Sequence, residues 1–348
     1  MIPHSKPTIT GSELRAVVKV LKSGMLAQGR RVEKLELDLA GFIGARFAVA
    51  LNSGTSALHL ALLALKIKPG DEVVTSSYVC TGVLNAINYT GAKVKLADIN
   101  PDDFNISVDS VKRAISRKTK VIIVPHMFGL AADMDGLRKF GIPLLEDCAL
   151  SVGATYKGRQ VGSFGCAAVF SFYATKMLAT AEGGALVTNN REINSFARDR
   201  RDYDNKDSYE VRFNYKLNDI QAAMGIQQLK GLRSFISHRQ KIAAMYNNSL
   251  SDLGIRLALT AAKRTHVYFR YCIRGRDSSD NIIKKLRAFG IEAKKPVFKP
   301  LHNYLGLSDK EYPVTAQVYK TVVSLPIYPL LKEAQARFII DKVRSVLK

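Results

Sequence analysis

The sequence contains no tryptophan and only four cysteines in 348 residues. The cysteines are scattered through apolar segments without the paired spacing of a zinc site or a disulfide framework: Cys80, Cys148, Cys166 and Cys272. Long apolar runs are also missing, because the longest stretches are far shorter than the roughly 20 residues that cross a bilayer. The N-terminus has no signal-like pattern either. The sequence therefore predicts a cytoplasmic protein without a bound metal or membrane contact.

Negative charge is scarce as well. Lysine and arginine number 52 against 30 aspartate and glutamate residues, which gives a formal charge of +22. Such an excess would suit a nucleic-acid binder or an enzyme with a multiply anionic substrate. The basic residues form no compact arm, aromatic-interleaved repeat or zinc-finger pattern. We therefore interpret most of them as solvated surface and do not expect a nucleic-acid partner.

The chain is long and apolar enough, at 47% hydrophobic residues, to bury a large core. Seven short β-branched runs alternate with helical patterns in its first part: 47–51, 72–75, 93–98, 120–124, 143–146, 167–172 and 184–188. This alternation predicts a three-layer α/β/α domain around a mostly parallel seven-stranded sheet. Ser107 is the expected N-cap of a helix over 108–116, and further helices are expected over 56–64 and 217–229.

The pattern changes after about Gly231. A long amphipathic helix is expected over 237–253, a strand over 266–274 and a helix over 278–289. This succession predicts a smaller α+β domain. We place the large domain at residues 1–230 and the small C-terminal domain at 231–348.

Three segments contain residues suited to chemistry. The turn at 52–56, Asn-Ser-Gly-Thr-Ser, stands between a strand and a helix, where backbone amides and hydroxyls can surround a phosphate. The same turn is also an ordinary helix cap. Asp147 follows a hydrophobic strand, at the edge where ligands bind in open α/β sheets. Its carboxylate could cap a helix or pair with a cationic ring nitrogen. A metal site is not expected there, because the sequence shows no set of partner ligands to go with it.

Lys176 follows another buried strand, among apolar residues and shortly before the glycine pair at 183–184. Desolvation there favours the neutral amine, the form that Schiff-base chemistry requires. Taken alone, such a lysine is more often a surface charge.

The order of these motifs resembles the DegT/DnrJ/EryC1/StrS family of sugar aminotransferases, which belong to fold-type I of the pyridoxal-phosphate (PLP) enzymes. The resemblance extends over nearly the whole chain, through segments 23–29, 52–58, 70–73, 124–129, 146–149, 162–184, 214–217 and 324–329. Asn214-Tyr215-Lys216 is similar to the family's Asn-Tyr-Arg motif. Relatives that dehydrate sugars replace the Schiff-base lysine with histidine, and its retention at position 176 favours transamination.

The resemblance implies a PLP site with defined roles. Lys176 would form the Schiff base and move the substrate proton, and Asp147 would keep the pyridine nitrogen protonated. The cofactor-binding residues would also include Gly54, Thr55, Ser56, Cys80 and Ser171 from one subunit, and Asn214 reaching across from a second. The enzyme would then be a homodimer with shared active sites.

Three positions depart from the family pattern. Cys80 stands where the family places an aromatic residue over the cofactor ring, with Tyr78 as a candidate substitute because residues two apart in an extended segment share a face. Leu150 replaces the Gln or His near the cofactor's 3′-oxygen, and Ser76 replaces a proline. We expect these changes to bear on the identity of the substrate and on the fine tuning of the site more than on the identity of the cofactor.

The implied reaction transfers an amino group from glutamate, or glutamine, to a keto-sugar carried on a nucleoside diphosphate, in surface polysaccharide or amino-sugar biosynthesis. Candidate substrate residues are Arg30, Lys216 and His302, the last of which could equally be an ordinary surface histidine. Two alternatives remain open at this point. One is a PLP aminotransferase of the same fold acting on a cyclitol or another ketone, and the other is a catalytically silent basic binding protein.

Overall fold

Hydrophobic strands form the centre of the molecule. The computed structural model describes residues 1–258 and 261–347. In chain order the strands of that part are β1 (Phe47–Leu51), β2 (Glu72–Ser76), β3 (Lys93–Ala97), β4 (Thr119–Pro125), β5 (Leu144–Asp147), β6 (Thr155–Tyr156), β7 (Arg159–Gln160), β8 (Ala167–Ser171), β9 (Gly184–Thr188), β10 (Arg264–Thr265), β11 (Tyr271–Arg274) and β12 (Val322–Leu325).

The seven strands expected from the sequence pair into one sheet in the order β1-β9-β8-β5-β4-β2-β3. Strands β3, β2, β4, β5 and β8 are parallel. Strand β9 runs antiparallel to both β8 and β1, because the connection 172–183 contains no crossover helix and the chain reverses there. The predicted mostly parallel sheet is confirmed, with this one reversed strand.

Helices cover both faces of the sheet. Those of the described part are α1 (Gly11–Ser23), α2 (Arg30–Ile43), α3 (Gly54–Ala64), α4 (Thr81–Asn88), α5 (Val108–Ala114), α6 (Met134–Arg138), α7 (Arg191–Arg200), α8 (Asp219–Leu250), α9 (Ser279–Ala288), α10 (Leu301–Tyr304), α11 (Pro313–Thr321) and α12 (Glu333–Leu347). Apolar residues of α2, α5, α6 and α8 pack on one face, and those of α3, α4 and α7 on the other. The α/β/α layering is thus confirmed, and Ser107 caps α5 as expected.

A smaller lobe follows from the second half of α8. Its core unites that half of α8 with α9, α12 and the antiparallel pair β11–β12. The N-terminus also belongs to it, because Ile2 pairs with Ile291.

Two expectations for this region are wrong. The helices expected over 217–229 and 237–253 are one continuous helix, α8, since packing against α1 and α2 outweighs the roughly 1 kcal/mol that Gly231 costs. The strand expected over 266–274 is limited to β11.

None of the helices in residues 1–258 and 261–347 has the length and apolar content to span a membrane.

Candidate active site

A cavity of about 290 Å³ opens where β5 and β8 end and α3 begins. Six residues expected at the cofactor site line it: Gly54, Thr55, Cys80, Asp147, Ser171 and Lys176. A second cavity, of about 260 Å³, shares Cys80, Asp147 and Lys176 with the first and extends to Phe269 and Arg270. The amine and the carboxylate that sequence analysis singled out therefore face the same space.

The first turn of α3 forms one wall of the cavity. Ser53 is the N-cap, and its hydroxyl accepts a hydrogen bond from the Ser56 amide at 3.0 Å. The amides of Gly54 and Thr55 come earlier in that turn, where a helix leaves its N–H groups without intrahelical partners and the dipole is positive. A Cβ on Gly54 would lie 2.9 Å from the Ser171 Cβ, so only glycine lets the helix approach β8 this closely.

Ser56, which was also expected at the cofactor site, has a different place from Gly54 and Thr55 of the same turn. Its hydroxyl donates to Asn52 Oδ1 at 2.6 Å, and the residue is not among those that line the cavity. In this structure Ser56 stabilises the turn that holds Gly54 and Thr55.

Asp147 is the last residue of β5. Its side chain lies on the same face of the sheet as that of Leu145, the face covered by α3, because side chains two apart along a strand point the same way. The residue is 6% exposed, and in the described part of the chain its carboxylate accepts one hydrogen bond, from the Ala149 amide at 3.0 Å. Burial raises the pKa of Asp147 above its usual value, against the opposing influence of the Ala149 amide and the Lys176 charge.

Glu146, the preceding residue, points to the opposite face and is saturated with hydrogen bonds. The amides of Gly162, Phe164 and Gly165 each donate to it at 2.7 Å. His126 Nε2 donates at 2.9 Å, because His126 Nδ1 already accepts from a main-chain amide.

This network has consequences for charge and for metal binding. Burial alone would raise the pKa of Glu146, but the hydrogen bonds from His126 and the amides lower it overall. His126, Glu146 and Cys148 cluster as metal ligands could. Hydrogen bonds occupy both oxygens of Glu146 and both ring nitrogens of His126, so this cluster is a structural network.

Lys176 lies on the connection between β8 and β9. Its amide donates to the Tyr173 carbonyl at 2.8 Å, and its Nζ lies 5.3 Å from the centroid of the Phe269 ring. Burial lowers the pKa of the Lys176 amine, against the opposing influence of Cys80 and Asp147. The neutral, nucleophilic form of the amine is favoured accordingly.

Of the three positions that depart from the family pattern, two are at the site, whereas Ser76 lines neither cavity. Cys80 lines both cavities and Leu150 lines the second. Tyr78 is fully buried and packs edge-on against Phe128, with 6.2 Å between ring centroids, outside the lining of either cavity. The idea that Tyr78 replaces the ring-stacking residue is therefore wrong, because its side chain is part of the core.

The remaining candidates lie outside both cavities. Arg30 is exposed at the start of α2. Lys216 Nζ pairs with Asp202 at 2.7 Å and Asp204 at 3.1 Å, and these hydrogen bonds raise its pKa. Asn214 is exposed, and its carbonyl accepts from Asn52 Nδ2 at 3.0 Å.

His302 is fully buried, so the alternative that it is an ordinary surface histidine is wrong. Its Nδ1 lies 2.6 Å from the Ser77 hydroxyl and its Nε2 lies 3.0 Å from Asp309 Oδ1, which leaves neither ring nitrogen free in this structure. The ring also stacks on Tyr312.

Sequence reasoning missed Phe269 and Arg270. Both were expected only as part of a strand, and they line the second cavity from the segment just before β11. The available signal was an arginine inside an otherwise apolar run, which is unusual for a buried segment.

Known proteins match this chain over nearly its whole length. The model of the DegT/DnrJ/EryC1/StrS aminotransferase family matches residues 7–344. The spore coat polysaccharide biosynthesis protein SpsC of Bacillus subtilis (strain 168) is 33% identical, with 100% of this chain and 97% of that protein covered. GDP-perosamine synthase of Caulobacter vibrioides is 34% identical, with 99% and 98% covered.

A solved structure matches the fold closely. Spr1654 from Streptococcus pneumoniae in its PMP form gives a TM-score of 0.94 at 28% identity, covering 99% of this chain and 97% of that one. The PLP form of the same protein gives a TM-score of 0.93. The fold-type I architecture expected from the sequence is thereby confirmed.

Proposed function

The chain belongs to the DegT/DnrJ/EryC1/StrS aminotransferase family, and from this premise we propose that it transfers an amino group from glutamate, or glutamine, to a nucleotide-linked keto-sugar in surface polysaccharide or amino-sugar biosynthesis. The observation that carries the proposal is the meeting of Lys176 and Asp147 in one cavity, beside the turn at Gly54 and Thr55. PLP is the proposed cofactor.

The residues of the cavity fit this cofactor. A phosphate suits the first turn of α3 together with the Ser171 hydroxyl, which faces the same cavity. Asp147 has unused hydrogen-bonding capacity, since its carboxylate accepts only from Ala149 among the described residues. A pyridine nitrogen that carries a proton would supply the missing donor and the missing positive charge.

When bound, PLP provides an electron sink for the carbanion that forms during amino transfer. Asp147 would keep the ring nitrogen protonated by offering it a buried carboxylate. The Lys176 amine, whose pKa burial lowers, would attach the cofactor and then carry a proton at the substrate carbon. The Phe269 ring lies beside the Lys176 amine, 5.3 Å from its Nζ, and adds to the apolar surroundings of that amine.

Two further parts of the proposal concern the substrate and the assembly. The formal charge of +22 would favour the approach of a nucleoside diphosphate. Arg30, Lys216 and His302 remain the candidate substrate residues in this proposal, and His302 would act there only after rearrangement of its two hydrogen bonds. Asn214, exposed and with its side chain outside this chain's own cavities, is proposed to reach the cavity of a second subunit in a homodimer with shared active sites.

Cofactor attachment gives the first test. The purified protein, loaded with PLP, is treated with borohydride and digested, and the modified peptide is identified by mass spectrometry. We expect the label on Lys176 in the wild type and in the surface control Lys284→Ala, and none in Lys176→Ala. Labelling at another lysine would contradict the assignment.

The acceptor needs a separate screen. The protein is loaded with pyridoxamine phosphate and mixed with keto-sugar nucleotides, and the return of violet absorbance is followed. A response to a cyclitol ketone and to none of the sugars would favour a same-fold aminotransferase of different specificity, for which Cys80 and Leu150 leave room.

A further inference from the structure

Arg270 lacks the carboxylate partner that a half-buried guanidinium normally has. In the described part of the chain it forms no ion pair, and its one side-chain hydrogen bond joins Nη1 to His4 Nδ1 at 3.0 Å. Its Nε is buried and has no partner among residues 1–258 and 261–347. Burial lowers the pKa of Arg270 to about 10, which still leaves the side chain charged at neutral pH. An uncompensated cation in such a place is costly unless a ligand completes it.

His4 does not neutralise this charge. Burial lowers the pKa of His4 to about 2, with a further contribution from Arg270, so the imidazole is neutral. Its Nδ1 therefore accepts from Arg270, and its Nε2 donates to the Ser324 hydroxyl at 2.9 Å. The contact orients the guanidinium and adds no negative charge.

Two nearby carboxylates are already paired with other arginines, and the carboxylate of Asp147, which lines the second cavity as well, is assigned to the cofactor. Asp102 and Asp103 share a small neighbouring cavity with Arg270. Asp102 pairs with Arg256 at 2.7 Å, and Asp103 pairs with Arg264 at 2.8 Å.

The unpaired charge of Arg270 lies close to the proposed reaction site. The guanidinium lies 4.5 Å from the centroid of the Phe269 ring, and the Lys176 amine lies 5.3 Å from the same centroid. Both side chains line the second cavity. A second buried arginine, Arg239, differs, because it donates to the Tyr268 and Ile327 carbonyls and lines neither cavity.

We propose that Arg270 binds a carboxylate of the reacting molecule, whose amino or keto carbon is held beside Lys176. The inference rests on the proposed function, because it adds a substrate contact to that same site. A guanidinium offers a planar fork that matches a carboxylate with two hydrogen bonds. Two reactants could bring the carboxylate: the amino-acid donor, or a keto-sugar that is itself an acid.

Binding of an unreactive dicarboxylate tests the contact without turnover. Glutarate is titrated calorimetrically into PLP-loaded wild type, Arg270→Gln, Arg270→Lys and the exposed control Arg276→Gln. We expect Arg270→Gln to weaken binding at least tenfold, Arg270→Lys to have an intermediate effect, and Arg276→Gln to change it less than twofold. Equal affinity in wild type and Arg270→Gln would point to a donor carboxylate bound elsewhere.

Single-turnover absorbance measurements separate the two sources. If the donor supplies the carboxylate, Arg270→Gln slows the reaction with glutamate and leaves a simple primary amine unaffected. If the sugar supplies it, glutamate reacts normally and only acidic keto-sugars lose rate relative to neutral ones. Unchanged rates with both reactants, together with unchanged glutarate binding, overturn the inference.

Thermal unfolding of each variant excludes a loss of fold as the cause of these effects. Failure of the wild type itself to take up PLP or to react with any amine would refute the proposed function. A wild type that reacts while Arg270→Gln equals it refutes only the role of Arg270.

Discussion

Two adjacent carboxylates at the end of β5 have opposite environments. Glu146 faces the side of the sheet covered by α2 and α8, accepts hydrogen bonds from three amides and His126, and has a lowered pKa. Asp147 faces the cavity side, accepts one hydrogen bond among the described residues, and has a raised pKa. Because consecutive side chains of a strand point to opposite faces, these two neighbouring carboxylates lie in different environments and have different roles.

The contrast separates stability from function. A buried carboxylate whose hydrogen bonds are complete holds the fold together, because it organises the donors around it. A buried carboxylate with spare acceptor capacity is unfavourable in the cofactor-free protein and becomes favourable when a cationic group arrives. The following substitutions test this division, beginning with the largest expected effect.

Asp147→Asn should remove function and leave the fold intact. Without a negative charge at the ring nitrogen, we expect the amino-transfer half-reaction with glutamate to slow by about a hundredfold or more. Stopped-flow absorbance of the loaded enzyme measures it, with the exposed Asp207→Asn as a charge-matched control. A rate within twofold of the wild type would remove Asp147 from the mechanism.

Glu146→Gln should lower the stability of the fold without removing a group that contacts the cofactor. Its amide would present N–H groups to backbone donors and to His126, and we expect a loss of about 3 kcal/mol in the free energy of unfolding. Urea denaturation of the cofactor-free protein measures it. An equal loss in Asp147→Asn would abolish the distinction between the two carboxylates.

The pH dependence of stability should distinguish them too. The raised pKa of Asp147 means that the folded state binds its proton more tightly than the unfolded state, whose value is near 3.8. The wild type therefore loses stability relative to Asp147→Asn as pH rises from that value through the folded pKa. Denaturation midpoints of the two cofactor-free proteins, compared from pH 4 to 7, should diverge in that direction. Parallel curves would mean that the pKa of Asp147 is not shifted.

Cys80→Phe should have the smallest effect, and it adds to the function side of the comparison. A ring at this position could stack on the cofactor, so we expect PLP to bind more tightly by about 1 kcal/mol. Equilibrium dialysis measures the affinity, and Cys166→Ala, outside both cavities, is the control. Weaker binding would show that the cavity has no room for the ring.

Sequence reasoning succeeded where the chemistry is local. All seven sheet strands and the places of Gly54, Asp147 and Lys176 at strand and helix ends follow from short motifs. The contribution of Phe269 and Arg270 depends on how the segment before β11 packs beside the end of the large sheet, which no local pattern encodes. The burial of His302 likewise involves Ser77, which is 225 residues away in the sequence and reaches it through tertiary folding.

The continuity of α8 has a mechanical consequence. At its first turn, Asp219 accepts from the amides of Gly29 and Val32, which anchors the start of α2. Its far half belongs to the core of the smaller lobe. A single continuous helix therefore connects the two lobes. A hinge motion of the lobes at residue 231 would break backbone hydrogen bonds within that helix. Reactants must therefore enter and leave through adjustments of the rim, with the lobes acting as a fixed frame.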